Sequence, residues 1–214
     1  MKLVETRDGW ILDEIKEDRV WANSDVRVKN LAGVQTNPKF KGDSVILVYV
    51  DDPEIRDTIV NVLGCDIKEC QYEQRDENDE VVGTITRYSF RLKAYPRVLT
   101  DKNGKVLMNM KTGEPRISPK VMLKKRDMNG KFVNQQLKLD KFDEFDGRSL
   151  SNIAIAFHTF PNSYDPSKPN IAAIDEVWAV ADQSAGIIDK SYLEEKYGGY
   201  DDEPTIEEVM PFAE

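Results

Sequence analysis

Positively charged side chains recur at alternate positions in the segment TITRYSFRLKAYPRV, residues 84–98. With the two-residue period of a β-strand, Arg87, Arg91 and Lys93 share one face with the aromatic Tyr95. The opposite face carries Tyr88, Phe90, Leu92 and Ala94. Cations on a strand contact phosphates, and exposed rings stack on unpaired bases. The pattern predicts a strand with one face in the core and one face suited to a polyanion.

Charge is segregated along the chain, although its net value of −9 is acidic. Residues 1–85 carry a net charge of −8, residues 86–141 carry +11 and residues 142–214 carry −12. Neutralisation of acidic neighbours would explain a basic third, but the interleaved aromatic residues favour a nucleic-acid contact. The predicted DNA contacts are Arg87, Arg91, Lys93, Tyr95, Arg97, Lys120, Lys124, Lys125, Lys131 and Phe132. Tyr95 and Phe132 are the predicted stacking rings.

The element that precedes the basic third is a buried strand followed by a helix. The apolar run SVILVYV, residues 44–50, is typical of a buried strand. Asp52 is a suitable N-cap, and proline follows it at the first helical position. Gly64 supplies a C-terminal stop. We therefore predict a helix between Asp52 and Gly64.

Turn signals divide the remainder of the chain into short strands. QRDENDEVVG is predicted to be an acidic turn or loop, and DKNGK, KTGEP and DMNGK indicate hairpin turns or loop tips in a meander of basic hairpins over residues 84–140. SNIAIAFHTF and IAAIDEVWAVAD predict two later strands. A short helix is expected from Ser191, and an acidic C-terminal tail follows it.

These elements predict a mainly β fold, an OB-type five-stranded Greek-key barrel with a helix, extra hairpins and a flexible acidic tail. We expect a nucleic-acid-binding domain over residues 1–190, with the short helix and tail over residues 191–214. The tail would contact partner proteins through Asp201, Asp202, Glu203, Glu207, Glu208 and Phe212. Exchange of tails between chains, or pairing of strand edges, would give a homodimer, which the sequence leaves open.

Catalytic signatures are missing from the sequence. It has no phosphate-binding glycine loop, no GxSxG and no HExxH, and it has one histidine, His158, which is expected to lie in a strand. Cys65 and Cys70 are expected to be free thiols in a reducing compartment. We expect no enzyme activity, no metal and no cofactor. The absence of a long apolar run predicts no membrane contact, and a cytoplasmic location, the host cytoplasm for a viral protein.

Three segments resemble the single-stranded DNA-binding proteins of tailed phages, the group that includes the phage T7 protein. They are NPKFKGDSVILVYVDDPEIRDTIVNVL, FDGRSLSNIAIAFHTFPN and NIAAIDEVWAVAD. The resemblance implies an OB-type barrel, a role in DNA replication or recombination, and a tail that contacts replication or recombination enzymes. The tail departs from the family because Ala213 and Glu214 follow Phe212.

The sequence therefore predicts sequence-tolerant binding of single-stranded DNA, with an acidic tail for partner contacts or self-competition. The main alternative is an acidic phage interaction protein, either a DNA mimic that acts as an inhibitor or a component of the virion. A metal-dependent nuclease built from carboxylates is a third alternative. The sequence does not separate DNA from RNA as the ligand, and it does not give the binding-site size or cooperativity, the identity of protein partners or the role of the hairpins at residues 101–131.

Overall fold

Strands dominate the structure, a computed structural model that describes residues 1–13, 26–28, 31, 44–76, 78–126, 129, 131–145, 149–150 and 153–180. The strands in these ranges are Lys2–Thr6 (β1), Gly9–Asp13 (β2), Val26–Val28 (β3), Val45–Tyr49 (β4), Ile67–Arg75 (β5), Val81–Lys93 (β6), Arg97–Val98 (β7), Ile117–Ser118 (β8), Lys120–Arg126 (β9), Phe132–Gln136 (β10), Ser149–Leu150 (β11), Ala154–Phe160 (β12) and Ile171–Val180 (β13). The prediction of a mainly β protein is confirmed.

The α-helix α1 spans Pro53–Asp57 and continues as a π-helical turn over Thr58–Val62. Its N-cap is Asp52, whose carboxylate accepts a hydrogen bond from the backbone N–H of Glu54 at 2.9 Å. Gly64 follows with a φ of +65°, a left-handed conformation that glycine adopts without a Cβ clash. The predicted helix and the signals at both of its ends are confirmed. A 3₁₀-helix lies further along the chain, at Leu139–Phe145.

Eleven of the described strands form one mixed sheet. Its main path follows the order β1-β2-β12-β13-β6-β4-β3-β11, with β5 beside β6, β9 beside β13 and β10 beside β9. Strand β13 runs parallel to β6 and to β9, whereas the other pairs in this sheet are antiparallel. Within the described ranges the path does not close, so the predicted five-stranded barrel is not confirmed.

The core lies on one face of the strands β4, β6, β12 and β13. Phe90 and Leu92 of β6 are buried there, with Val48 of β4 and Ile174 of β13. The rings of Phe90 and Phe157 meet edge to face, with centroids 5.7 Å apart. The predicted apolar face of β6 is therefore confirmed, and the strand is held by pairing along both edges and by the buried ring of Phe90.

Strand β2 approaches β12 closely at Gly9. Its φ is +157°, and a Cβ built there would lie 2.5 Å from the carbonyl oxygen of Phe157. The next residue, Trp10, is the cross-strand partner of Phe157. Any larger residue at position 9 would push β2 away from β12, so glycine is required for this pairing.

The expected hairpins are present in part. Strands β9 and β10 form an antiparallel hairpin, and β7 pairs with β8 in a separate two-stranded sheet. In the DKNGK turn, Asp101 accepts hydrogen bonds from the backbone N–H groups of Asn103 and Lys105, at 2.8 and 2.9 Å. A chain of successive hairpins does not describe the whole region, however, because β9 also pairs in parallel with β13.

The predicted loop QRDENDEVVG is shorter than expected. Strand β5 runs to Arg75 and β6 begins at Val81, so both ends of this segment lie in strands. Cross-strand pairing explains the difference, because Tyr72 lies opposite Ile85 and Gln74 opposite Gly83. The polar composition of β5 concealed a strand that the sequence reasoning did not assign.

No helix among the described residues is long and apolar enough to cross a bilayer. The predicted domain boundary at residue 190, the short helix from Ser191 and the acidic tail lie outside the described residues. The domain division therefore stays a prediction.

Candidate nucleic-acid interface

Strand β6 projects its cations away from the core. Phe90, Leu92 and Ala94 are buried, whereas Arg91 is exposed, and Arg87 and Lys93 are half-buried. We call the side of β4, β5 and β6 that carries these three cations the outer face. Residues two positions apart on a strand are separated by about 7 Å. The outer face of β6 therefore carries the cations that the alternation in the sequence predicted, with the buried Ser89 between Arg87 and Arg91.

Strand β5 adds a cation and a tyrosine ring to the outer face. Lys68 lies opposite Ser89, Cys70 opposite Arg87, and Tyr72 opposite Ile85. Residues directly opposite each other in neighbouring strands project on the same side of a sheet. Lys68 is exposed and the side chain of Tyr72 retains 41% of its accessible surface, so both can meet a ligand from solvent.

Two tyrosines and an ion pair form one cluster on the outer face. The hydroxyl groups of Tyr49 and Tyr72 share a hydrogen bond at 2.9 Å, and their rings meet edge to face with centroids 6.0 Å apart. The guanidinium of Arg87 lies 4.4 Å from the ring centroid of Tyr49 and donates to Asp51 at 2.8 Å. Tyr49 is buried, so these contacts hold the exposed ring of Tyr72 in a fixed orientation.

The same cluster changes the acidity of Tyr72. Its hydrogen bond with Tyr49, followed by desolvation, raises the pKa of Tyr72 from 10.0 to about 12. The phenol is neutral at physiological pH, as an ordinary tyrosine is, and the raised pKa keeps it neutral to higher pH. An uncharged ring can stack on a base without repelling the adjacent phosphates.

The predicted cations differ in their ion pairing. Arg87 pairs with Asp51, and Lys120 pairs with Glu176 at 2.9 Å. Arg91 makes no ion pair with any residue that the structure describes. Arg97, on β7, likewise lacks an acidic partner within the described ranges. These two arginines therefore carry positive charge that no ion pair among the described residues compensates.

A bulge in β13 organises a second cluster. Phe157 pairs with Ile174 and Ala156 pairs with Glu176, so Asp175 is the extra residue of the bulge. Asp175 is exposed and lies 2.9 Å from Nδ1 of His158. The bulge thus exposes Asp175 and leaves the next carboxylate, Glu176, buried.

The buried carboxylate of that bulge holds the start of β9. Glu176 Oε1 accepts hydrogen bonds from Lys120 Nζ and from the indole N–H of Trp178, both at 2.9 Å. Only 2% of the Glu176 side chain is accessible, against 30% of the Lys120 side chain. Lys120 therefore compensates a buried charge, and its role in the structure is to fix β9 against β13.

The other predicted site residues are distributed more widely. Tyr95 is exposed two residues beyond β6, Lys124 is half-buried on β9, and Lys131 is exposed just before β10. Lys125 lies in β9 and Phe132 in β10, but their side chains are outside the described part of the structure. The tail residues Asp201, Asp202, Glu203, Glu207, Glu208 and Phe212 are also outside it.

Sequence reasoning missed Lys68, Tyr49 and Tyr72. A usable signal was present in KECQYEQR, where Lys68, Cys70 and Tyr72 recur with the period of a strand. Tyr49 could not be assigned to the outer face from the sequence, because it belongs to an uninterrupted apolar run. Its orientation becomes defined only when it lies opposite Ser89 in the sheet.

The two cysteines and the carboxylates do not form a metal site in the part of the chain that the structure describes. Cys65 is buried and Cys70 is half-buried on β5, and both are free thiols, as predicted. Burial raises the pKa of the Cys65 thiol to about 11. Cys65 is therefore protonated and unreactive at neutral pH.

Comparison of the chain with protein-family models, with curated proteins and with solved structures gives no match. The resemblance to phage single-stranded DNA-binding proteins therefore stays a prediction. What can be inferred about function comes from the geometry of the outer face and from the charge pattern of the sequence.

Proposed function

We propose that the chain binds single-stranded DNA without sequence preference, on the outer face of β4, β5 and β6, during phage DNA replication or recombination. The observation that carries the proposal is the exposed Arg91, without an ion pair among the described residues, on the same face as the exposed ring of Tyr72. A cation and an oriented ring on one face of a sheet are the two kinds of group that single-strand binding requires.

The mechanism combines phosphate contacts with stacking. Arg91, Lys93 and Lys68 would contact phosphates, and release of counterions from the strand would favour binding. Bases would stack on Tyr72 and Tyr95, each stack contributing about 1–3 kcal/mol. Phosphates and ring faces are common to all nucleotides, so these contacts give binding without sequence preference.

Strand pairing supports an OB-type barrel as the scaffold. Consecutive pairs join β3 to β4, β4 to β6, β6 to β13 and β13 to β12. Strand β11 pairs with β3 and ends only a few residues before β12 begins. If β11 and β12 act as one strand, these five strands make a closed ring of the Greek-key type. Strands β4 and β6 would then be the second and third strands of that barrel. Their outer face would be the surface on which such barrels usually bind oligonucleotides.

The acidic tail would compete with DNA for the basic surface and would recruit replication or recombination enzymes once DNA displaces it. Opposite charges attract over about 10 Å at roughly 0.1 M salt, which makes the competition dependent on salt. Removal of residues 200–214 should therefore tighten DNA binding most at low salt. Equal affinity of the shortened and full-length chains throughout a salt series would contradict the competition.

An acidic interaction protein, such as a DNA mimic or a virion component, is the second candidate. The observation in its favour is that Arg87 and Lys120 are already paired with carboxylates. In that case the acidic segments would form the working surface, and the basic segment would neutralise part of them. Such a protein would bind a partner protein but not oligothymidine.

Fluorescence anisotropy with labelled oligothymidine separates these candidates. We expect the logarithm of the binding constant to fall linearly with the logarithm of the salt concentration. Duplex DNA should be a poor competitor for the bound oligothymidine. A parallel titration with oligouridine measures whether the surface distinguishes RNA. Incubation with Mg²⁺ tests for shortening of the oligonucleotide, the result expected of a nuclease. Absence of oligothymidine binding at low salt would overturn the proposal.

A further inference from the structure

An open cleft lies beside β13, beneath the lobe formed by β7, β8 and the segment that joins them. Its volume is about 720 Å³. Residues 97–118 form one wall, and Lys120, Gln136 and the bulge of β13 form the other. Arg97 of this lobe is a predicted DNA contact, whereas the sequence leaves open the role of the hairpins that begin at residue 101. The proposed binding face on β4, β5 and β6 does not include the cleft.

Three cations of the cleft lining lack an acidic partner. Arg97, Lys111 and Arg116 are exposed, and none of them makes an ion pair with a residue that the structure describes. Each carboxylate in the lining has a cation or an imidazole beside it. These pairs are Glu114 with Lys138, Asp175 with His158, and Glu176 with Lys120. The lining holds four cations against three carboxylates, an excess of one positive charge, which favours an anionic ligand.

Apolar groups in the same lining suit the flat faces of bases. Met108 retains 46% and Met110 96% of their accessible surface, and both line the cleft with Leu99 and Pro115. Methionine side chains are flexible and pack against aromatic groups of varied shape. Cations beside exposed methionine side chains are suited to a ligand with both negative charges and flat apolar groups. A nucleotide strand has both, in its phosphates and its bases.

The cleft continues the outer face along one edge of β13. Lys93, the last residue of β6, lies opposite Ala173, and Lys120, the first residue of β9, lies opposite Glu176. Three residues of a strand span about 10 Å. A strand of DNA that leaves the outer face at Lys93 would thus enter the cleft after one or two nucleotides.

From this continuity we propose that the cleft is a second subsite for single-stranded DNA, and that it binds the nucleotides that follow those on the outer face. The inference depends on the proposed function. It assigns the lobe at residues 97–118 to an extension of the binding track and names Arg97, Lys111 and Arg116 as its phosphate contacts. Only strands long enough to leave the outer face would reach it.

The test compares oligothymidines of about 4 and about 16 nucleotides, the two ends of the site-size range of one OB-type domain. The double variant Arg97→Ala/Arg116→Ala should weaken binding of the long strand about tenfold and lower its salt slope by about 1.4, with little effect on the short strand. The matched control is Lys102→Ala/Lys105→Ala, which removes two exposed cations from the same lobe but outside the cleft.

Each outcome bears on a different claim. Equal weakening of both lengths, or of neither, would overturn the cleft as a separate subsite, whereas failure of the unmodified chain to bind either length would overturn the proposed function. Lys111→Glu covers the case in which the double variant does not fold, because Lys111 is an exposed residue of the lobe. It should weaken binding of the long strand selectively, and unchanged binding of both lengths would contradict the subsite.

Discussion

The guanidinium of Arg87 lies 2.8 Å from the carboxylate of Asp51, whereas Arg91, on the same face of β6, makes no ion pair among the described residues. A cation that already pairs with a carboxylate neutralises less of the phosphate charge, so fewer counterions leave the DNA when it binds. We therefore expect Arg91→Ala to lower the slope of log affinity against log salt by about 0.7, the value for one phosphate contact on a single strand. Anisotropy titrations with oligothymidine at several salt concentrations measure this slope.

Asp51→Asn provides the matched contrast. It frees Arg87 for phosphate contact, so the slope should steepen and affinity at low salt should rise, while Arg87→Ala should change the slope less than Arg91→Ala does. If Arg87→Ala and Arg91→Ala have the same effect, ion pairing does not control the phosphate contacts of the outer face.

The ring of Tyr72 is the second test of the outer face. Loss of a stacking ring costs about 1–3 kcal/mol, so Tyr72→Ala should weaken oligothymidine binding roughly 5- to 150-fold. Tyr72→Phe keeps the ring and should retain most of the affinity. A strand of abasic sites is the control ligand, because it has phosphates without bases and should bind both variants equally. If Tyr72→Ala weakens binding of the abasic strand as much as binding of oligothymidine, loss of stacking is not the cause of the weaker binding.

Tyr49 raises the pKa of Tyr72 to about 12 through their shared hydrogen bond. Because the pKa of Tyr72 is higher in the folded state, this hydrogen bond stabilises the folded chain fully below about pH 10. That stabilisation is lost as the pH rises towards 12. Tyr49→Phe should therefore bring the ionisation of Tyr72 back towards 10, the ordinary tyrosine value. Ultraviolet difference spectra of the phenolate follow the titration, and the Tyr72→Phe variant identifies its signal. An unchanged titration in Tyr49→Phe would contradict the hydrogen bond.

Lys120 compensates the buried carboxylate of Glu176, so its removal should affect stability more than DNA binding. Lys120→Ala removes the cation paired with that buried acceptor, and it should lower the free energy of unfolding by about 1–3 kcal/mol. Adding Glu176→Gln should recover part of the loss, because the amide has no charge to compensate. Urea unfolding of the single and double variants measures both effects. A fully additive double variant would show that the two residues do not interact.

Local sequence signals predicted the elements whose side chains alternate cleanly. Phe90 and Leu92 on one face of β6, with Arg91 on the other, followed from the two-residue period, and Asp52 and Gly64 marked the helix ends. These features depend on neighbours in the sequence. They could be predicted because burial and capping act on the strand or helix in which the residues lie.

The parts that sequence reasoning did not predict depend on pairing between distant residues. Tyr72 became a site residue because β5 places it opposite Ile85 and within hydrogen-bond distance of Tyr49. The ion pair between Lys120 and Glu176 results from the parallel pairing of β9 with β13. From composition, every lysine and arginine of the basic segment was a candidate for DNA contact. The register between paired strands decides which of these side chains lie beside a carboxylate.

The most direct test of the account is photo-cross-linking of iodinated oligothymidine to the full chain, with the attachment sites mapped by mass spectrometry. Single-stranded DNA on the outer face predicts cross-links at Tyr72 and Tyr95, and their loss when unlabelled oligothymidine is added. Cross-links confined to residues away from β4, β5 and β6, or no cross-link at low salt, would contradict the proposal that this face binds DNA.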